Sequence, residues 1–224
     1  MSKDKLFIKG KRTRAAILSQ ALRIASAEGL AGLTIGRLAK ELRMSKSGLF
    51  AHFRSKEALE LATVERASTV FADKVLVSAE GEYEGLETLW NLCDLWLKHI
   101  EERVFRSGYF FIGAFFQCGK RSGPVPDCIA GTVKQWIDAL KNAVKQAQKH
   151  WEIRLDASPT RTAFELNGLL LGAYWARLMG DWDALEEARA TVLGNLQKLA
   201  TKKIPAEAFE SVRAFRRYLR QTHA

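Results

Sequence analysis

The apolar positions of this chain recur at helical spacing in almost every segment and alternate like a strand in none. Ile17, Leu18, Ala21, Leu22, Ile24 and Ala25 predict a first helix over Thr13 to Glu28, capped by Thr13 and stopped at Gly29. A short helix opening at Thr34 carries Ile35, Leu38, Ala39 and Leu42; after a break at Arg43 and Met44, another opens at Ser45 and closes near Phe53. Ser55 caps a long fourth helix that carries Leu59, Val64 and Val70 towards Val77. Beyond a break from Gly81 to Gly85, the spacing predicts helices over Leu86–Glu102, Phe105–Cys118, Asp127–Trp151, Thr160–Met179 and Ala184–Leu199. A basic helix from Ala206 to Arg220 ends the series. Pro124, Pro126, Pro159 and Pro205 are placed in the breaks, where a missing N–H does no harm.

The expected fold class is therefore all-α, with an N-terminal three-helix helix-turn-helix domain followed by a larger helical domain. The expected divisions are a basic flexible arm over 1–12, the helix-turn-helix domain over 13–58, a connecting helix over 59–80 and the larger domain over 81–224. Residues 34–53 are two short amphipathic helices joined by a tight turn. In such a pair the first helix crosses the DNA backbone and the second enters the major groove. Leu38, Ala39 and Leu42 are expected to pack against Met44, Leu49 and Phe53, which turns Lys46, Ser47 and Phe50 outward.

The N-terminal end of the second helix brings backbone donors and the positive end of the helix dipole to the nucleic acid, with Ser45 as its cap. Lys46 suits guanine O6/N7 or a phosphate, Ser47 suits either base edge, and Gly48 lets the backbone approach closely. Thr34 and Lys56, at the starts of their helices, are placed to clamp phosphates; Lys11, Arg12 and Arg14 are further phosphate candidates. His52, one turn on, reads as a phosphate or shape contact rather than a catalyst. Arg37 and Lys40 are assigned equally to solvent and to phosphate.

Charge agrees with this reading. The formal net charge is +10, and residues 1–66 hold 14 Lys+Arg against 6 Asp+Glu, a net of +8. A patterned basic segment of this kind points to a polyanion, whose condensed counterions are released on binding. An anionic membrane fits less well, because the basic residues form no continuous amphipathic face beside large aromatics.

The run Leu49-Phe-Ala-His-Phe53 followed by Ser55-Lys-Glu57 is similar to the L-Y-x-H-F and S/N-K-E/D of the TetR family, and the first sixty residues resemble that family of bacterial regulators. The resemblance implies an all-helical homodimer, most often a repressor, in which a small molecule bound by the C-terminal domain alters operator affinity. Phe50 stands where the family usually has a tyrosine, so a hydroxyl contact to phosphate is expected to be missing. Arg43 fills a turn position that is often glycine; if that position is left-handed, it costs roughly 1 kcal/mol.

Trp90, Trp96, Phe110, Phe111, Phe115, Phe116, Trp136 and Trp175 are candidates to line a pocket for an apolar or aromatic effector, and the same residues are equally consistent with plain core. Gly168, Gly172, Ala176 and Gly180 form a small-residue stripe every four positions, which asks for a closely crossing helix. That helix is either in the same chain or in a second copy. The resemblance implies that the last two large helices form a four-helix dimer bundle, with Gly168, Gly172, Ala176, Leu185, Val192 and Leu196 as interface candidates.

Catalysis has no visible apparatus: His99, His150 and His223 lack an orienting carboxylate at helical spacing, and no G-x-S-x-G, phosphate-binding glycine loop or H-E-x-x-H occurs. Cys93, Cys118 and Cys128 have no metal-ligand spacing, so no metal or cofactor is expected, and free thiols suit a reducing cytoplasm. The most apolar stretch, Gly108 to Cys118, is too short to span a bilayer. The expected partners are a double-stranded DNA operator, a second copy of the chain and a small-molecule effector, with no membrane. A DNA-anchored factor that holds a protein partner and needs no small molecule is the competing reading.

Overall fold

The computed structural model describes residues 3–79, 85–106, 110–119 and 122–221, with side chains from Gly10 onward in the first helix. Ten α-helices appear among these residues and no strand: α1 (Lys3–Glu28), α2 (Ile35–Leu42), α3 (Lys46–His52), α4 (Lys56–Phe71), α5 (Leu86–Glu101), α6 (Phe110–Cys118), α7 (Pro124–Lys149), α8 (Pro159–Leu178), α9 (Ala184–Leu199) and α10 (Val212–Gln221). Contacts divide the chain into two compact units, residues 1–71 with 103–133 and residues 72–102 with 134–224. The segment 103–133, read from the sequence as part of the second domain, thus groups with the N-terminal helices.

In the first unit α1 packs on α4 and α2, and α2 on α3. Ile17, Leu18, Ala21, Ile24, Leu33, Leu38, Ala39, Leu49, Phe53, Leu59 and Ala62 close one core, with Ile35, Leu42 and Met44 half-buried against it. The pairing of Leu38 and Ala39 with Leu49 and Phe53 follows from their spacing, because each short helix has only one apolar face to bury. In the second unit α8 packs on α9 and α5, and α10 sits on α9 and on the 3-10 turn Ala206–Phe209.

Several boundaries differ from expectation. The first helix begins at Lys3, so the basic segment expected as an arm is helical. Lys and Arg are good helix formers, no proline interrupts the segment, and a single Gly10 costs only about 1 kcal/mol. Pro124, Pro126 and Pro159 lie in the first turns of α7 and α8 rather than in breaks. First-turn N–H groups have no intrahelical acceptor, so proline loses nothing there. The fourth helix changes to a π-helical stretch over Ala72–Val77. Of the expected break at 81–85 only Gly85 lies within the described residues, and residues 107–109, where the sixth helix was expected to be running, lie outside them.

Candidate nucleic-acid interface

α3 is held ready by its own cap. Ser45 is extended (φ −69°, ψ 148°), and its Oγ accepts from the N–H of Gly48 at 3.0 Å while lying 3.1 Å from Ser47 Oγ. Gly48 fits because a Cβ there would sit 3.1 Å from Ser45 Oγ, crowding the cap. Thr34 caps α2 in the same manner, its Oγ1 accepting from the Arg37 N–H at 3.2 Å. Between the helices Arg43 is left-handed (φ 52°, ψ 39°), and Met44 N–H reaches back to the Ala39 carbonyl at 2.9 Å. The turn therefore needs the conformation that glycine would adopt freely, and this chain builds it with arginine.

Lys46 and Ser47 are exposed on the first turn of α3, and Phe50 is 48 % exposed on the next. Lys46 lies along the start of α2, within 3.6 Å of where a Cβ on Gly36 would stand. His52 is half-buried beside Phe53, with ring centroids 6.4 Å apart. Lys11 and Arg12 are exposed on α1, and Arg14 places its guanidinium 5.0 Å from the Phe53 ring centroid, a cation–π contact that orients it near the α3 end. Lys56 opens α4 behind a Ser55 cap and pairs with Glu60 at 3.4 Å.

Arg37 has an internal role that its sequence position left open. Its Nη2 donates to Glu28 Oε1 at 2.6 Å and its Nε to Glu41 Oε1 at 3.0 Å; Arg23 and Gln20 on α1 also reach Glu41. The hydrogen bonds from Arg37 hold both carboxyls below the usual range. This lattice ties α1 to α2 and fixes the angle at which the α2–α3 pair is presented. Arg37 and Glu41 stand at i, i+4 and were findable; Glu28 and Gln20 are joined to them only by the fold.

The expected effector residues divide between the two units. Phe110 and Phe111 are buried and pack edge-on at 5.4 Å, and Phe111 meets Phe71 at 5.7 Å, all within the first unit. Phe115 and Phe116 of α6 are exposed. Trp90, Trp96 and Trp136, in the second unit, are each only 1 % exposed; Trp90 packs edge-on against Phe215 at 5.3 Å and Trp136 Nε1 donates to Asn167 Oδ1 at 2.9 Å. Trp90 and Trp136 are core, each with a ring or a polar partner inside its own unit, and Trp96 is buried with them. A cleft of about 600 Å³ in the second unit is lined instead by Thr88, Leu92, Gln135, Asp138, Asn142 and Gln146.

The interface candidates also divide. Gly168 and Gly172 are exposed, and a Cβ on either would meet nothing within 4 Å, so no helix among the described residues crosses the stripe at these glycines. Ala176 is half-buried. Leu185, Val192 and Leu196 are 4 %, 0 % and 0 % exposed and belong to the core of their own unit, a correction to their expected place at an interface. The apolar side of α9 packs on α5 and α8. On α8 the outward face carries Phe164 and Trp175, continued by Met179 just past its end; they are 76 %, 63 % and 68 % exposed, and their spacing alone did not mark them as one surface.

Among the described residues no group of three or more His, Cys, Asp or Glu is placed to hold a metal ion, and no helix is long and apolar enough to cross a membrane. Residues 17–63 match the model of bacterial regulatory proteins of the tetR family, and residues 85–192 match that of the tetracyclin repressor-like C-terminal domain. No curated protein sequence matches the chain. A TetR transcriptional regulator from Chloroflexus aurantiacus is similar in structure, with a TM-score of 0.78 and 21% identity over 86% of this chain and 98% of that one. A putative transcriptional regulator from Saccharomonospora viridis in complex with choline gives 0.74 and 19% over 85% and 99%. AibR in complex with isovaleryl coenzyme A and operator DNA gives 0.64 and 24% over 83% and 97%.

Proposed function

Because this chain belongs to the TetR family of bacterial transcriptional regulators, we propose that it is a ligand-responsive homodimeric repressor that reads a palindromic operator with α3 of each subunit. The observation that carries this reading is the first turn of α3. Ser45 engages its own helix, so Lys46 and Ser47 are left facing solvent on a dipole-positive, glycine-thinned helix end. Lys46 and Ser47 read bases, Thr34, Lys56 and the α1 cations Lys11, Arg12 and Arg14 engage phosphates, and Phe50 packs without a phosphate bond. Occupying the operator is enough for repression, and no catalytic step is involved. The setting is the cytoplasm, where the operator DNA is.

A two-fold dimer is supported by α8, whose glycine stripe is crossed by no helix among the described residues and whose flanking aromatics are exposed. The effector reading is supported by the cleft lined by Thr88, Gln135, Asp138, Asn142 and Gln146. Two proteins of this fold hold choline and isovaleryl coenzyme A, chemically unlike molecules. The lining of this chain's own cleft is therefore the better guide: Leu76, Leu92, Ala139 and Ala143 stand among Thr88, Gln135, Asp138, Asn142 and Gln146, which suits an effector with an apolar body and hydrogen-bonding groups. An effector lowers operator affinity only to the extent that it prefers the arrangement whose reading helices miss the half-site spacing. Exposed Phe115 and Phe116 favour the second reading, a DNA-anchored factor that holds a protein partner.

Selection of bound DNA from a random pool, repeated with metabolite extracts, separates these readings. A recovered palindrome released by an extract supports the repressor, and a palindrome indifferent to every extract supports the protein-binding factor. Lys46→Ala is expected to weaken binding and relax specificity, whereas Lys56→Ala weakens all sequences about equally and shallows the salt slope. Unchanged binding curves for both variants over a salt series would overturn the assignment.

A further inference from the structure

Helix α10 lies beyond the family-matched residues, and the regulator reading gives it no task. It is amphipathic: Phe215 and Leu219 are buried, Phe215 stacking on Phe209 at 5.2 Å and meeting the edge of Trp90 on α5. Arg213, Arg216 and Arg220, at i, i+3 and i+7, form one wall of a cleft of about 710 Å³ in the second unit. The facing wall is Glu87, Trp90, Asn91 and Asp94 of α5, with Glu186 of α9 at its side. This volume is in the range of small-molecule sites.

The carboxylates here are largely committed. Arg189, 4 % exposed, donates to Asp94 at 2.8 Å, to Glu101 at 2.9 Å and to Glu186; Arg216 takes both oxygens of Asp94 at 2.8 Å. The arginines at either end of the wall are not. Arg213 makes no ion pair among the described residues, and Arg220 gives only its Nε, to the carbonyl of Arg216 at 3.2 Å. A guanidinium has five N–H donors in a planar fork that matches a carboxylate or phosphate. The cleft therefore has spare donors on the α10 side, Val212 and the edge of Leu219 as apolar surface beside them, and Glu87 on the far wall to direct negative charge towards α10.

We propose that the cleft between α5, α9 and α10 binds a small organic anion, its oxyanion group held by Arg213 and Arg220 and its apolar body set against Val212 and the edge of Leu219. This site shares no lining residue with the cleft beside Thr88 and Asn142.

Isothermal titration of the full chain with benzoate, phenyl phosphate and benzylamine at constant ionic strength tests it. Saturable binding of one or both anions, none of benzylamine, and a loss of about tenfold or more in affinity in Arg213→Ala and in Arg220→Ala are expected. Arg217→Ala, on the same helix but outside the cleft, is expected to bind like the unmodified protein. Both cleft variants replace solvent-facing side chains, so unchanged circular dichroism and operator affinity accompany the loss. No saturable binding of either anion, equal binding of benzylamine, or full affinity in the Arg213→Ala/Arg220→Ala double variant overturns the proposal.

Discussion

Gln117, at the end of α6, accepts a hydrogen bond through Oε1 from the backbone N–H of Ala31, 3.2 Å away and 86 residues earlier in the chain. Ala31 lies in the 3-10 turn Leu30–Gly32 that leads into the Thr34 cap of α2. The same side chain lies over Gly29, whose φ of 77° already favours glycine and where a Cβ would clash with the Gln117 amide. Gly29→Ala is expected to cost about 1–3 kcal/mol from the strained backbone, and more from the clash. In a double-mutant cycle by urea unfolding, Gln117→Ala should relieve the steric part and leave the backbone part, so the two changes are non-additive. Strict additivity would show that Gln117 does not restrain the turn.

Two left-handed residues are exposed and gain nothing visible from their side chains. Arg43 (φ 52°) ends α2, and Trp151 (φ 59°) follows the end of α7 with 65 % of its surface in solvent. Replacing either with glycine removes the Cβ penalty but adds freedom to the unfolded chain. The expected result is a net gain of up to about 1 kcal/mol in chemical denaturation. A loss at Trp151 would mean that its ring is packed in solution.

His99 is 2 % exposed, and burial, helped by Lys74, pushes its imidazole down from 6.5 to about 4. The native state therefore prefers the neutral ring, whereas the unfolded chain takes up a proton below pH 6.5. Stability present above that pH is lost as the pH falls towards 4, by up to about 3 kcal/mol in all. Unfolding free energies measured at pH 7, 6 and 5 should decline more steeply for the unmodified chain than for His99→Gln.

Substitutions on α8 and α9 should separate surface from core. Phe164→Glu or Trp175→Glu changes an exposed residue and is expected to shift the sedimentation of the chain from dimer to monomer while leaving its helicity intact. Leu196→Ala opens a cavity in a fully buried position and is expected to cost about 2–5 kcal/mol. A monomer from Leu196→Ala and a dimer from both α8 variants would reverse this assignment.

The sequence by itself determined what depends on neighbours a turn away. Apolar spacing located the ten α-helices of the described residues, though not the start of α1, and Thr34, Ser45 and Ser55 were readable as caps because a cap bonds a group three residues on. Arg43 was identifiable as the strained turn residue for the same local reason. Periodicity tells which side of a helix is apolar, but not whether its own chain or a partner covers that side. Only the tertiary structure decided that Leu185, Val192 and Leu196 are core while Phe164 and Trp175 face out, and that Trp90, Trp96 and Trp136 spend their surface on packing. It likewise decided the partners of Gln117 and Arg37, because a hydrogen bond between residues far apart in sequence leaves no period in the chain.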